Sequence, residues 1–415
     1  MTDIRDGHQP ALRLPLDILL VYGSLRTGGI ETLIVRLANF YVSLGVHVSV
    51  CCTLGGVLES LLDREVNIIR YSETNDLIRV IHARKHVSPA GSRQLIVSFD
   101  PISAARALMI ETTLSHSEEI SHVTGIFHPR AYFMTGERRD RVCLNYLIAR
   151  AVGKNSLFFM NEECRASHSI KWNTDLDVCS ILALPINRVA AKWRPSEKAI
   201  VRIVSVGRLV DFKAYNLGVS KVIRECLDRG VEVTWDIYGD GPLKCEILKE
   251  IEAHGVANDV CLMGELEYAR FYATVTHYDL FVGMGTSALE AAMIGVPTIC
   301  ITVDESTRCY GYINSLPFGN VGERLSYPPT IELADLIQAY SACEPAQRVV
   351  LSNQSRTAAE KYSMPIFAEA LANIAFGRRS RLHRVYRKLI AEFYRLMTEG
   401  YVAKFVRRLS RFTSV

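Results

Sequence analysis

The sequence predicts an α/β protein: two doubly wound domains with mainly parallel sheets, followed by a basic helical extension. Three observations carry that prediction. Apolar runs of strand length, such as DILLVY (17–22) and VRIVSVG (201–207), alternate with stretches of helical period. The alternation occurs twice, over residues 17–184 and again over 201–376. The strands are apolar throughout, as expected of sheets covered by helices on both faces.

The first series opens with DILLVY and the loop GSLRTGG. A helix follows in which Ile30, Leu33, Leu37, Tyr41 and Leu44 keep helical spacing and Gly45 provides a stop. Strands are then predicted at VHVSVCCT (46–53), NIIRY (67–71), QLIVSF (94–99), HVTGIF (122–127), SLFFM (156–160) and VCSILAL (178–184), with helices between most of them. LPINRVAAKWRPSEKA (184–199) has prolines, mixed charge and no period, so residues 185–200 read as an interdomain linker. The second series has strands at VRIVSVG, VEVTWDIYG (231–239), DVCLMG (259–264), DLFVG (279–283) and VPTICIT (296–302). Helices near 331–341, 346–362 and 365–376 are expected to close it. The organisation is therefore an N-terminal tail (1–16), a first domain (17–184), a linker, a second domain (201–376) and a tail (377–415). Two such domains would bind ligand in a cleft between the carboxyl ends of their sheets.

Composition sets bounds. Of the 415 residues, 49% are hydrophobic and 22% charged, a globular balance that excludes disorder. The first 16 residues lack an apolar core, so export is not expected, and no apolar run is long enough to span a bilayer. Eleven dispersed cysteines without a CxxC pair suit reduced, buried thiols and a cytoplasmic location. Net charge is +4, but residues 377–415 carry +9, leaving −5 for the rest.

The stretch GMGTSALEAAMIGVPTIC (283–300) reads as a strand end, a Gly-x-Gly loop, a short helix and an exit into another strand. Gly283 and Gly285 permit a sharp turn, and Thr286 and Ser287 suit a helix N-cap where an anion such as phosphate is favoured. Glu290, one turn on, could accept from a sugar diol. An ordinary βα-turn explains the same residues equally well. VGRLVDFK (206–213) places Arg208 and Lys213 past a strand, where two cations can bracket a diphosphate; a solvated surface pair is the plainer account. YGDGP (238–242) and MGEL (263–266) add turns with Gly239 and Gly264 beside them. In the first domain, RTGGIE (26–31) supplies Gly28 and Gly29 but is not the GxGxxG fingerprint; it is either a glycine turn or a surface for a pyrophosphate or sugar. His128 follows the strand HVTGIF and is either structural or a donor to sugar or phosphate. His122, at the start of that strand, reads as structural.

These motifs, in this order, resemble a GT-B-fold glycosyltransferase of the retaining class called glycosyltransferase family 4. The likeness spans 17–376 and is strongest over 201–300. It implies two Rossmann-like domains. It also implies that Arg208 and Lys213, with Gly207 at their turn, hold the donor diphosphate, helped by the amides of Gly285 to Ala288. Glu290 would hold the ribose and His128 would contact the transferred sugar. Family members carry another Glu eight residues before Glu290; here that position is Val282, and Asp279, Glu265 or Asp304 are the carboxylates that could replace it. The implied chemistry needs no metal and no cofactor: the acceptor hydroxyl attacks the face the diphosphate leaves. The single DxD, Asp175–Asp177, reads as a turn.

The tail places Leu382, Val385, Leu389, Phe393, Leu396 and Met397 on one helical face, with Arg381, Arg384, Lys388 and Arg395 mostly on others. A basic amphipathic helix suits an anionic membrane surface; packing back on the body is the alternative. The partners expected are thus a nucleotide-sugar, a glycan or lipid-linked saccharide, and the inner face of the cell membrane, not nucleic acid. Rival functions are a catalytically silent nucleotide-sugar-binding partner and a sugar-nucleotide epimerase.

Overall fold

The structure, a computed structural model, describes residues 16–26, 28–84, 93–114, 120–133, 139–196, 199–376 and 384–399. The chain divides into two compact units. One runs to Ala183 and resumes at Met364; the other is Leu184–Ser363.

The first unit contains β1 (Leu16–Tyr22), α1 (Gly29–Ser43), β2 (His47–Cys52), β3 (Asn67–Arg70), α2 (Thr74–Arg84), β4 (Arg93–Ser98) and α3 (Pro101–Leu114). It continues with β5 (Ile120–Ile126), α4 (Arg139–Val152), β6 (Leu157–Phe159), α5 (Glu162–Trp172) and β7 (Ser180–Ile181). The second contains β8 (Val201–Val206), α6 (Tyr215–Asp228), β9 (Val233–Tyr238), α7 (Lys244–Ala253), β10 (Val260–Gly264), α8 (Phe271–Val275) and β11 (Leu280–Gly283). After these come α9 (Thr286–Met293), β12 (Thr298–Ile301), β13 (Arg308–Tyr312), β14 (Ile331–Glu332), α10 (Leu333–Ser341) and α11 (Pro345–Glu360). The chain then returns to the first unit with α12 (Met364–Phe376) and α13 (Arg384–Glu399).

Among the described residues each unit has one seven-stranded sheet, ordered β3-β2-β1-β4-β5-β6-β7 in the first and β10-β9-β8-β11-β12-β13-β14 in the second. The first sheet is parallel throughout. In the second, β13 and β14 join antiparallel. Strand order reverses between β1 and β4, and again between β8 and β11. At such a switch point the flanking loops diverge to opposite faces and leave a crevice at the strands' carboxyl ends. Ile18, Leu20 and Val21 in β1, and Val201, Ile203 and Val204 in β8, are buried, which is why both strands read as apolar runs.

Four expectations are corrected here. Residues 365–376 do not close the second domain. Their helix, α12, packs on the first unit: the Phe367 ring lies 6.1 Å from that of Phe158, the Tyr41 hydroxyl donates to the Ala368 carbonyl at 3.3 Å, and the Arg93 guanidinium covers Phe376 at 4.6 Å. The presumed linker is docked on the second unit. Trp193 is buried there, its indole N–H donating to the Tyr278 carbonyl at 2.6 Å and its backbone N–H to that of Ile294 at 2.9 Å. VCSILAL yields only the two-residue β7. Finally, β13 was not anticipated, because Arg308 and Gly311 break its apolar character.

Part of the tail falls within the described residues, as α13. Its Ile390, Ala391 and Tyr394 join the core formed with α3 and α4. Arg387 makes two bonds to the Glu111 carboxylate, at 2.7 and 3.1 Å, and one to the Ala151 carbonyl at 2.8 Å. Packing on the body is thus realised, but not by the face the sequence pointed to. Leu389, Phe393 and Leu396 remain 63%, 53% and 48% exposed. Leu382 and the run from Gly400 lie outside the described residues.

Candidate functional site

In the second unit the turns after β8, β9 and β10 are stitched together by backbone bonds. Gly207 N–H donates to the Tyr238 carbonyl at 2.9 Å, and Gly239 N–H to that of Gly264 at 2.8 Å. A Cβ on Gly239 would collide with the Gly207 carbonyl oxygen, so that glycine serves the close approach of two turns. The result is a continuous, hydrogen-bonded carboxyl edge.

Two cations stand on this edge. Arg208 is exposed, and Lys213 ends the 3₁₀ turn Asp211–Lys213, half-buried. The Lys213 ammonium lies where a Cβ on Gly207 would be. Burial, and secondarily the Arg208 charge, lower the Lys213 pKa below its ordinary value. A cation held partly out of water beside another like charge is stabilised by an anion arriving between them.

Next to β8 across the switch point, β11 leads through Gly283 into α9. The N-cap is Gly285 at φ 72°, a left-handed conformation that favours glycine. Thr286 and Ser287 therefore begin the helix and do not cap it; the Ser287 hydroxyl donates to the Met284 carbonyl at 3.2 Å. The Gly285 N–H is taken by the Val321 carbonyl at 2.6 Å, which removes it from the amides expected to hold phosphate. The amides of Thr286, Ser287 and Ala288 occupy the first turn, where α-helical N–H groups have no intrahelical acceptor. Glu290 is only 3% exposed and accepts the Tyr268 hydroxyl at 3.0 Å.

Val282 is fully buried in β11, its side chain in the apolar core of the unit. It is a core residue, and a carboxylate there would be buried without water. Of the three carboxylates considered in its stead, Asp279 is buried at the opposite end of β11, bonded to Arg202 at its backbone N–H (2.9 Å) and Nε (3.3 Å). Glu265 is exposed beyond β10. Asp304, at φ 61°, donates its backbone N–H to the Phe212 carbonyl at 3.1 Å, beside the turn that carries Lys213.

The first unit positions its predicted residues separately. Gly28 is the extended N-cap of α1 and Gly29 its first residue; the Gly28 carbonyl accepts the Thr32 N–H at 3.0 Å and its hydroxyl at 2.8 Å. His128, past β5, is exposed and its Nδ1 accepts the Arg130 N–H at 3.0 Å. In the neutral ring the proton is then on Nε2. His122 is buried, its Nε2 shared by the hydroxyls of Ser98 (2.9 Å) and Thr124 (3.1 Å). Sequence reasoning passed over Tyr268 and the Val321 loop; a lone tyrosine after a turn follows no period, and nothing in the sequence brings residue 321 to 285.

Residues 201–311 match the family model described as Glycosyl transferases group 1. A comparison with curated proteins finds no match. Similar solved structures include a TarM mutant of S. aureus in complex with Fondaparinux, alpha-GlcNAc-glycerol and UDP, 11% identical, with a TM-score of 0.55 over 88% of this chain and 100% of that one. A glycosyltransferase of Rickettsia africae is 13% identical, with a TM-score of 0.60 over 88% and 100% of the two chains. The lipopolysaccharide outer core galactosyltransferase WaaB is 14% identical, with a TM-score of 0.56 over 87% and 99%. The fold is thus the two-domain GT-B fold of these structures, and within it residues 201–311 carry the group 1 glycosyl transferase match. Arg208, Lys213, the start of α9 and Glu290 all fall inside the group 1 segment.

Proposed function

We propose that this protein transfers a sugar from a nucleotide-sugar donor to a glycan or lipid-linked saccharide, with retention and without a metal, in cell-surface polysaccharide synthesis. The observation that carries the reading is the gathering of Arg208, Lys213, the α9 N-terminus and a buried Glu290 on the strand ends around one switch point. Two cations and a helix terminus balance the diphosphate charge, so no divalent ion is needed for that purpose. The C1–O bond to the diphosphate breaks as the acceptor oxygen bonds to C1 on the same face. The acceptor's proton passes to the departing phosphate oxygen, and the diphosphate leaves as the nucleotide. The protein's part is positioning and charge stabilisation, with His128 assigned to the transferred sugar. TarM in complex with UDP and WaaB as a galactosyltransferase of lipopolysaccharide support the substrate classes.

The anionic membrane surface belongs to the same reading. Leu389, Phe393 and Leu396 form a stripe at helical spacing on the side of α13 away from its packed face, and residues 377–415 carry +9. Purified protein assayed with UDP-, GDP- and ADP-sugars should release nucleotide, faster with a lipid-linked acceptor. Binding without hydrolysis or transfer would favour the silent partner. Flotation on phosphatidylserine vesicles should be lost in Leu389→Glu/Phe393→Glu; equal flotation would remove the membrane from the reading.

A further inference from the structure

We propose that Tyr268 is a positioning residue for the nucleoside half of the donor, and that its exposed ring forms a platform for the nucleobase. The inference rests on the donor-binding reading above. Tyr268 opens the 3₁₀ turn Tyr268–Arg270 just beyond β10. Its hydroxyl donates to Glu290 Oε1 at 3.0 Å, yet the residue is 53% exposed while Glu290 is buried. One end of the side chain is therefore tied inside the site and the rest faces solvent. The bond fixes the plane of the carboxylate at one of its oxygens.

Nucleotide geometry supplies the rest. The diphosphate is carried on C5′ of the ribose and the base on C1′, with the 2′,3′-diol on a third edge. With phosphates at Lys213 and the α9 N-terminus and the diol at Glu290, the base projects past Glu290, and the Tyr268 ring is the aromatic surface that touches that residue. Tyr272 supports the turn from behind, its ring centroid 6.4 Å from that of Tyr268 in an edge arrangement. A ring tethered through its hydroxyl loses little freedom on contact, and stacking tolerates any base.

The test compares UDP, GDP and ADP with inorganic pyrophosphate by isothermal titration, on the natural protein and on Tyr268→Ala, Tyr268→Phe and Arg208→Ala. Tyr268→Ala should weaken the best-bound nucleoside diphosphate by about 10- to 100-fold and leave pyrophosphate unchanged. Tyr268→Phe keeps the ring and should fall between. Arg208→Ala should weaken both ligand types. Equal weakening of nucleotide and pyrophosphate by Tyr268→Ala would reduce Tyr268 to a support of the site, and no change in either would dismiss it; both overturn the proposal. Failure of the natural protein to bind any nucleotide, or indifference of both ligands to Arg208→Ala, would instead bring down the donor-binding reading and this inference with it. Thermal melting of each variant separates loss of binding from loss of fold.

Discussion

The carboxyl edges of the two sheets share a topology and differ in chemistry. On the second sheet the edge is built from glycines whose amides and carbonyls bond turn to turn, and it presents Arg208, Lys213 and a helix terminus. On the first, the strand ends carry rings: Tyr22, Phe99 and Phe127 follow one another across β1, β4 and β5 at 6.1 and 6.0 Å, with the exposed His128 beyond. The same switch-point architecture thus yields an electrostatic edge in one unit and an aromatic one in the other. A stitched, charged edge suits a diphosphate, whose shape is constant. Rings and a single imidazole single out no one ligand chemistry.

Five substitutions test that contrast. The largest effect should come from Val282→Glu, which buries an unpaired carboxylate beneath the charged edge; a loss of about 3–5 kcal/mol is expected in urea unfolding. Were the variant as stable as the natural protein and more active, position 282 would belong to the site after all. Next, Arg208→Ala and Lys213→Ala should each lower donor turnover about 100- to 1000-fold with melting unchanged; unaltered kinetics would erase the electrostatic edge. Gly239→Ala should cost about 1–3 kcal/mol because its Cβ meets the Gly207 carbonyl. Gly23→Ala, at the end of β1 where a Cβ meets nothing within 4 Å, should stay within about 0.5 kcal/mol. Equal costs would mean the two edges are equally tight.

Acid should separate the units by a different route. Burial lowers His122 to a pKa of about 3 and His168 to about 4, both in the first unit. The unfolded chain binds those protons near the ordinary value of 6.5, so stability is present above it and is lost as pH falls from there towards 4 and 3. The second unit's histidines, His254 and His277, are not buried. Hydrogen exchange at pH 5 should therefore show the first unit opening ahead of the second; simultaneous opening would contradict this.

Much of the fold was legible because a parallel strand covered on both faces is a continuous apolar word. What sequence could not say was which surface a helix would choose. The apolar side of α12 reads the same whether it meets β12 or β5, and only the structure shows Phe367 on Phe158. In α13 the residues that pack are Ile390, Ala391 and Tyr394, two of them poor signals of a core, while the more hydrophobic Leu389 and Phe393 stay outside. At the candidate site, residue types with one physical use, Arg208, Lys213 and the glycines, were readable in order. Tyr268 was not, because its part depends on a hydroxyl meeting a carboxylate 22 residues away.

The first unit is assembled from both ends of the chain, and this bears on its birth. During synthesis the whole of Leu184–Ser363 emerges from the ribosome before α12 and α13 do. Phe158 and Tyr41 must wait for α12, and the α3–α4 surface for α13 and its Arg387–Glu111 bond. Domains usually mature in the order they are made. Here the middle of the chain is placed to finish folding before its beginning, and a chain released before α13 is made carries one sound unit and one open face.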